Sequence, residues 1–298
     1  MVKKEIVSVC FQGGLANRMF QYAFSRSLVY KGYNVLYDTH NFKPRNRMTY
    51  EDVSLNDAFP GIDIPTIPND AFRFSCINGR KGKLLRFLNT LVKNEKYIFE
   101  PQFRYCPEVY SKILPNCNLI GLWQSEKYFE DIKQDIRSQF VFRPFYDERN
   151  ISIGSKMSKE NSVALHIRKG DDYTRDCMWK GTCTKEYFEA AINYIRDNVI
   201  NPVFYVFTDN KNWVRENLLG VNYTLVDWNP VKGKENFRDM QLMSCARHNI
   251  ISNSSYSWWG AWLNSNPEKI VVAPKVWFNP ELESYRNNEI VCKDWIAL

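Results

Sequence analysis

The sequence predicts an α/β protein made of two Rossmann-like halves that face each other across a cleft. Short runs of β-formers alternate with amphipathic stretches at helical spacing, as in βαβ units with a parallel sheet. The length of 298 residues fits two medium domains, and 44% apolar residues suffice for a sizeable core. A charged stretch without periodicity, 143–155, separates the halves. We therefore place the domains at 1–150 and 151–298.

The first half opens with a strand, Ile6 to Phe11, that runs directly into a Gly13-Gly14 turn. The helix that follows carries apolar residues at helical spacing from Phe20 to Leu28. Glycines in such a turn let the backbone approach a ligand closely, and the helix N-terminus favours an anion. The turn matches neither a dinucleotide fingerprint nor a P-loop, so a plain connector is the alternative. Gly14 and Asn17 are the candidate ligand contacts here.

The rest of the first half alternates less regularly. A strand over Asn34–Tyr37 is followed by a long insertion, 39–82, rich in Pro, Asn and Asp. Such insertions often carry acceptor sites or lids. Further elements are a helix over Leu84–Val92, a strand over Asn118–Trp123, and a helix with Phe129, Ile132, Ile136 and Phe140 on one face.

A basic cluster lies where the insertion meets the helix predicted after it. The chain has a net charge of +7, and the densest basic group is Arg80, Lys81, Lys83 and Arg86, beside apolar residues such as Phe87. A solvated helix face, a membrane-surface contact and a patch for an acidic ligand all fit this pattern. We expect no nucleic-acid partner, because the sequence has no recognised binding motif and no long basic stripe.

Cysteine usage and the N-terminus predict the compartment. The eight cysteines show no zinc spacing, and with only three histidines we do not expect a histidine-based metal site. The N-terminus runs directly into the first predicted strand, so we expect no signal peptide, and the sequence has no span of ~20 apolar residues. We therefore expect free thiols and a cytoplasmic protein, although Cys177 and Cys183 are close enough in sequence to pair.

The second half alternates strands and helices more clearly. Its central strand, Val163–Ile167, is followed by a helix for which Thr184 is the predicted N-cap. The other predicted elements are strands over Val203–Phe207, Tyr223–Val226, Ile250–Ile251 and Lys269–Ala273, and a helix over Asn236–Arg247. This order indicates a parallel, doubly wound sheet.

Polar residues follow three of these strands. Ligands of open α/β sheets bind beyond the carboxyl ends of the strands, and arginine matches two phosphate oxygens at once. The candidate residues are His166, Arg168, Asp171, Thr208, Asp209, Asn253, Ser254 and Ser255. A solvated charge cluster and simple helix capping are the alternatives at these positions. For Trp258, Trp259 and Trp262 we expect core packing.

The arrangement suggests an enzyme that transfers a group from a nucleotide donor. Metal-dependent sugar transferases usually hold the diphosphate through a metal on an Asp-x-Asp pair, and the sequence contains no such pair. An arginine and a helix N-terminus are fixed donors that stabilise a leaving diphosphate by themselves. We expect no metal and no cofactor beyond the donor substrate.

Five segments resemble the family of bacterial α-1,2-fucosyltransferases, the family 11 glycosyltransferases. They are Gly13–Ala23, Gly121–Phe129, His166–Asp171, Phe207–Asp209 and Ile251–Leu263, and they follow the family order over nearly the whole chain. The resemblance implies a GT-B fold, GDP-fucose as donor, and inverting transfer to the 2-hydroxyl of a terminal galactose without a divalent metal. It also implies surface-polysaccharide synthesis. The basic surface suggests in addition a peripheral contact with lipid-linked acceptors at the inner membrane face.

The resemblance also implies roles by position. Arg168 would bind the β-phosphate of GDP, Gly14 and Asn17 would line the donor cleft, Ser254 and Ser255 would hold the diphosphate, and Asp209 would lie near the guanosine. Two positions depart from the pattern: Lys169 replaces a second arginine, and Asp172 stands where the family usually has tyrosine. Lysine keeps the charge but loses the planar fork of donors.

Three alternatives differ in their sequence requirements. A non-catalytic sugar-nucleotide or glycan-binding module needs the Ser254 helix start but not Arg168 with an acidic neighbour. A protein O-fucosyltransferase usually carries an export signal, and a kinase needs a Walker lysine loop or a kinase signature. Asp171, Asp172 and His166 all remain candidates for the general base, and a fucosyltransferase with another acceptor remains open.

Overall fold

The computed structural model describes residues 6–39, 53–67, 79–94, 96–101, 103–170, 176–285 and 288–298. The chain forms two compact units. The first runs to Val141 and also includes Asn288–Ile290, and the second comprises Phe142–Asn287 and Val291–Leu298. The predicted boundary was at residue 150, whereas the structure divides between Val141 and Phe142.

The first unit contains a four-stranded parallel sheet of order β2-β1-β4-β3. Its strands are β1 (Ile6–Cys10), β2 (Asn34–Asp38), β3 (Lys96–Phe99) and β4 (Cys117–Ile120). Its helices are α1 (Leu15–Tyr30), α2 (Leu55–Ala58), α3 (Gly79–Lys93), α4 (Glu108–Lys112) and α5 (Lys133–Gln139). Helix α1 packs its aromatic side chains onto the sheet region, where Phe24 stacks on Trp123 with ring centroids 4.2 Å apart.

The second unit contains a six-stranded parallel sheet of order β10-β9-β8-β5-β6-β7. Its strands are β5 (Ser162–Ile167), β6 (Val203–Thr208), β7 (Tyr223–Val226), β8 (His248–Ile250), β9 (Val271–Ala273) and β10 (Ile296–Ala297). Its helices are α6 (Glu148–Lys159), α7 (Lys185–Asn198), α8 (Lys211–Asn217), α9 (Arg238–Cys245) and α10 (Ser255–Leu263). The α/β prediction with parallel sheets is confirmed.

Helix capping and burial explain the second unit's helices. Thr184 is the N-cap of α7, as predicted, and its hydroxyl accepts the N–H of Tyr187 at 3.4 Å. Phe188, Ala191, Ile192 and Ile195 of α7 pack in the core. The predicted core role of the three tryptophans of α10 is also confirmed, because Trp258 and Trp259 are fully buried and Trp262 nearly so.

Helix α6 is the main element that the prediction missed. It lies within the stretch that we interpreted as an aperiodic linker. Asp147 caps it by accepting the N–H of Asn150 at 2.8 Å, and only Asn150, Gly154 and Met157 are buried. Most of its residues are polar or charged, so we interpreted the segment as a linker although the helix is amphipathic.

Three smaller predictions also need correction. Gly121, Leu122 and Trp123 follow β4 instead of belonging to it, and the predicted helix from Phe129 to Phe140 is one 3₁₀ turn, Glu130–Ile132, followed by α5. Strand β3 was not predicted. The expectation of free thiols is wrong for Cys10, which is disulfide-bonded, whereas Cys177 and Cys183 are both free.

Candidate functional site

Three adjacent strands of the second sheet end in the polar residues that the sequence singled out. Pairing in register places Ile167 beside Thr208 and Leu165 beside Ile250, so the carboxyl ends of β6, β5 and β8 lie together. We call Arg168, Asp209 and Ser252–Ser255 the arginine edge. The structure thus brings together the predicted residues of the second half, except that Asp171 and Asp172 lie outside the described residues.

Ser252, just after β8, is hydrogen-bonded to the backbone at the end of β5, next to Arg168. Its fully buried hydroxyl donates to the carbonyl of His166 at 2.8 Å and accepts the backbone N–H of Arg168 at 3.0 Å. The backbone that carries the Arg168 side chain is therefore held by a neighbouring strand. We did not predict this role, although the position of Ser252 at a strand end was the available signal.

Asp209 holds the turn after Arg168 from the other side. One of its oxygens accepts the N–H of Lys169 at 2.7 Å, and the other lies 3.9 Å from Nε of Arg168. The side chains of Arg168 and Asp209 are 32% and 23% exposed, so the guanidinium still reaches solvent. An arginine held by its backbone and by one carboxylate is suited to an anionic ligand.

The side chain of Lys169, which replaces the second arginine of the family pattern, contacts other residues of the second unit. Its Nζ donates to the carbonyl of Thr182 at 3.3 Å and lies 5.6 Å from the centre of the Trp213 ring. Burial lowers the pKa of Lys169, and the groups of Cys183 and Asp209 partly offset this shift. Lys169 therefore supports the Thr182 loop.

His166 is buried and neutral. Burial, with a smaller effect of the Arg168 charge, lowers its pKa to about 3, and its Nδ1 has no hydrogen-bond partner among the described residues. A general base works best with a pKa near the working pH. The imidazole is thus a weak base at neutral pH, with one nitrogen available for a hydrogen bond.

In the loop before α10, Asn253 makes structural hydrogen bonds and Ser254 does not make the expected capping bond. The amide of Asn253 donates to the Thr182 hydroxyl at 2.9 Å and to the Trp277 carbonyl at 2.7 Å, so it anchors the loop. Ser254 is the N-cap of α10, yet its hydroxyl makes no capping hydrogen bond. Simple helix capping therefore does not explain Ser254. Ser255 is the first residue of α10. At the end of β6, the Thr208 hydroxyl accepts the N–H of Asn210 at 3.0 Å.

The first unit has its own polar loops at the carboxyl ends of β1 and β4. Gly13 has a φ of +76°, and a Cβ at this position would lie 2.3 Å from Nδ2 of Asn17. Gly14 is the N-cap of α1 without a capping side chain. Oδ1 of Asn17 accepts Nε2–H of Gln124 at 2.7 Å. We call Gly13, Gly14, Asn17 and Gln124 the amide edge.

Glu100, just after β3, supports this edge and was missed by the sequence reasoning. One carboxylate oxygen accepts the backbone N–H groups of Leu122 at 2.6 Å and Trp123 at 2.9 Å. Burial raises the pKa of Glu100, and these hydrogen bonds partly offset the shift. Gln21 adds a second tie, because its amide joins the backbone of Gln12 to that of Gly121. An acidic residue directly after a strand was the available signal.

The described residues contain no group of three or more His, Cys, Asp or Glu side chains placed to hold a metal ion. Among the same residues, no helix has the length and apolar character needed to cross a membrane.

Known proteins are similar to this chain over most of its length. The family model described as glycosyl transferase family 11 matches residues 83–298. An alpha-1,2-colitosyltransferase of Escherichia coli is 32% identical over 93% of each chain. The O-antigen biosynthesis glycosyltransferase WbnK of Escherichia coli is 32% identical over 97% of this chain and 99% of its own length.

A solved structure shows the fold class. The NodZ alpha-1,6-fucosyltransferase co-crystallized with GDP superposes with a TM-score of 0.51 and 12% identity, covering 87% of this chain and 92% of that chain. The fucosyltransferase NodZ from Bradyrhizobium gives a TM-score of 0.50 with the same identity and coverage. The predicted GT-B class, built from Rossmann-like units, is confirmed.

Proposed function

The chain belongs to glycosyl transferase family 11, and from that premise we propose that it is a galactoside 2-alpha-L-fucosyltransferase. It transfers L-fucose from GDP-fucose, with inversion, to the 2-hydroxyl of a terminal galactose in a surface-polysaccharide precursor. Similarity to an O-antigen glycosyltransferase and to a fucosyltransferase co-crystallized with GDP supports this assignment.

The observation that carries the proposal is the support of Arg168. Its backbone N–H donates to the Ser252 hydroxyl, and its side chain lies beside Asp209. Helix α10 begins nearby, and the hydroxyl of its N-cap residue, Ser254, makes no capping hydrogen bond. Donors fixed in this way stabilise a diphosphate as negative charge develops on it. We propose that they do so without a divalent metal.

In the proposed reaction the bond between fucose C1 and the β-phosphate oxygen breaks, and GDP leaves with the electron pair. The acceptor hydroxyl attacks C1 from the opposite face of an oxocarbenium-like sugar and loses its proton to a base. The low pKa of His166 favours a carboxylate for that step, and Asp171 is our candidate. His166 then serves as a neutral hydrogen-bonding group.

The second candidate differs in the donor sugar. A relative with 32% identity is named an alpha-1,2-colitosyltransferase, and colitose is fucose without its 3-hydroxyl group. A pocket built to bond that hydroxyl would reject GDP-colitose strongly, whereas an apolar pocket would discriminate weakly. The linkage to the 2-hydroxyl is the same in both candidates.

Release of GDP tests the proposal directly. Purified protein is given GDP-fucose or GDP-colitose, with lactose as acceptor, in EDTA. We expect acceptor-dependent GDP release from GDP-fucose in the chelator, and a product in which galactose O2 is substituted. Faster release from GDP-colitose would identify GDP-colitose as the donor in place of GDP-fucose. Dependence on added metal would overturn the metal-free mechanism. Failure to bind GDP would overturn the whole proposal.

We also propose a location. An enzyme acting on lipid-linked precursors works at the cytoplasmic face of the inner membrane, in peripheral contact with the bilayer. Fractionation of cells that express the full chain tests this, because we expect protein in the membrane fraction at low salt and its partial release at high salt.

A further inference from the structure

Helix α3 directs a stripe of large apolar side chains away from the protein. Leu84, Phe87, Leu88 and Leu91 recur at i, i+3, i+4 and i+7, and they are 58%, 60%, 44% and 66% exposed. Val92 beside them is 81% exposed. At 3.6 residues per turn these positions share one face of the helix.

The opposite face of α3 attaches the helix to its unit. Gly82 and Asn89 are buried and Leu85 is half-buried. The Asn89 amide donates to the hydroxyl of Tyr97 in β3 at 3.2 Å. The helix is therefore anchored by one side, and its apolar stripe is left facing solvent.

Charge on α3 has a single sign. Arg80, Lys81, Lys83 and Arg86 belong to the helix, and its sequence contains no acidic residue. The Arg86 guanidinium lies 5.8 Å from the ring of Phe99, which is itself 56% exposed in the adjacent strand. Phe99 thus adds apolar area beside a cation. Apolar side chains flanked by cations match a bilayer whose surface carries anionic head groups.

We propose that α3 docks on an anionic lipid bilayer, with Phe87 and Leu91 at the acyl boundary and the flanking cations among the head groups. This docking rests on the proposed function in one respect: the lipid-linked acceptor is the reason for the protein to reach a membrane. The docking surface itself stands on the geometry and charge of α3.

Vesicle flotation of the full chain tests the surface. We expect the protein to float with vesicles of phosphatidylglycerol and phosphatidylcholine and to stay behind with pure phosphatidylcholine. The double variant Phe87→Asp/Leu91→Asp should lose flotation. Each of Arg80→Gln, Lys81→Gln and Lys83→Gln should weaken binding about fivefold.

A matched control places the same aspartates on apolar side chains elsewhere. Ile200 and Leu219 are 80% and 75% exposed in the second unit. Ile200→Asp/Leu219→Asp should float as the unmodified protein does. Because all these side chains are exposed, the variants should keep the thermal midpoint.

Three results would overturn the inference: equal flotation with neutral vesicles, flotation that survives Phe87→Asp/Leu91→Asp, or a dimer that this variant converts to monomer in size-exclusion chromatography. The last would make the stripe a contact between copies of the chain. GDP release with soluble lactose is measured in parallel and should be unchanged in all variants. A protein that floats but releases no GDP would count against the proposed function alone.

Discussion

The two polar edges are built on the same kind of sheet but from different chemistry. The arginine edge has charged side chains that reach solvent and whose backbone is held by Ser252 and Asp209. The amide edge is held by neutral side chains, notably Gln21, which is fully buried, and by one largely buried carboxylate, Glu100. The difference teaches that one edge presents charged groups to solvent, whereas the hydrogen bonds of the other edge fix the shape of its own loops.

Replacing Arg168 gives the largest expected effect. Arg168→Ala should lower the rate of GDP release ~10²–10³-fold, because one fixed donor to the leaving diphosphate is lost. The side chain is partly exposed, so the thermal midpoint should hold. Arg168→Lys is the matched control, which keeps the charge without the fork and should recover part of the rate. Unchanged turnover in Arg168→Ala would remove the distinction between the edges.

The titration of two buried groups in the second unit gives the next effect. Burial lowers the pKa of His166 from 6.5 to about 3 and raises that of Asp239 from 3.8 to about 6. The stability due to His166 is complete above its unfolded pKa and is lost as pH falls towards 3. The stability due to Asp239 is complete below 3.8 and is lost as pH rises towards 6. The two contributions oppose each other between these values.

Variants separate the two contributions. Relative to the unmodified protein, His166→Gln should gain roughly 1.4 kcal/mol per pH unit as the pH falls from about 6 to 4. Asp239→Asn should gain a similar amount per unit as the pH rises over the same range. Urea unfolding at several pH values measures both, and curves that run parallel to the unmodified protein would contradict the assignment.

Ser252 tests the backbone support of the arginine edge. Ser252→Ala leaves a buried carbonyl and a backbone N–H without their shared hydroxyl, which should lower the free energy of unfolding by about 1–3 kcal/mol. Turnover should fall as well, because the Arg168 backbone is released. Ser244→Ala is the control: the Ser244 hydroxyl donates to the Gln241 carbonyl of its own helix, and we expect a change within about 0.5 kcal/mol.

Glu100 tests the amide edge and should give the smallest change in activity. Glu100→Ala removes the acceptor of two backbone N–H groups and should destabilise the protein by about 1–2 kcal/mol. Glu100→Gln keeps one acceptor oxygen and removes a buried charge, so its stability should stay close to that of the unmodified protein. If Glu100→Gln abolished turnover without unfolding the protein, Glu100 would have a chemical role and the comparison of edges would fail.

Periodicity predicted helices α3 and α7 but not whether their apolar faces are buried. Helices α3 and α7 both carry apolar residues at i, i+3, i+4 and i+7. In α7 this face is buried, with Phe188 and Ile195 in the core, whereas in α3 Phe87 and Leu91 are exposed. The charge pattern was the only sequence signal of the difference, since a solvated face remained an alternative for α3.

The candidate site was predictable where a residue follows a strand and not where it acts through another residue. Arg168, Asp209 and Ser254 were found because polar residues at strand ends converge. Glu100 and Ser252 were not, because their hydrogen bonds to Trp123 and Arg168 join segments far apart in the chain. Helix α6 was missed because most of its residues are polar or charged, a composition that is also typical of a linker.

The segment Asn288–Ile290 has a practical consequence for hybrid enzymes. It belongs to the first unit although it lies near the end of the chain, and Glu289 accepts the N–H of Tyr105 and pairs with Lys127. A chimera that exchanges family members at the 141/142 junction would therefore combine a first unit from one parent with a closing segment from the other. A chimera should therefore take residues 288–290 from the same parent as its first unit.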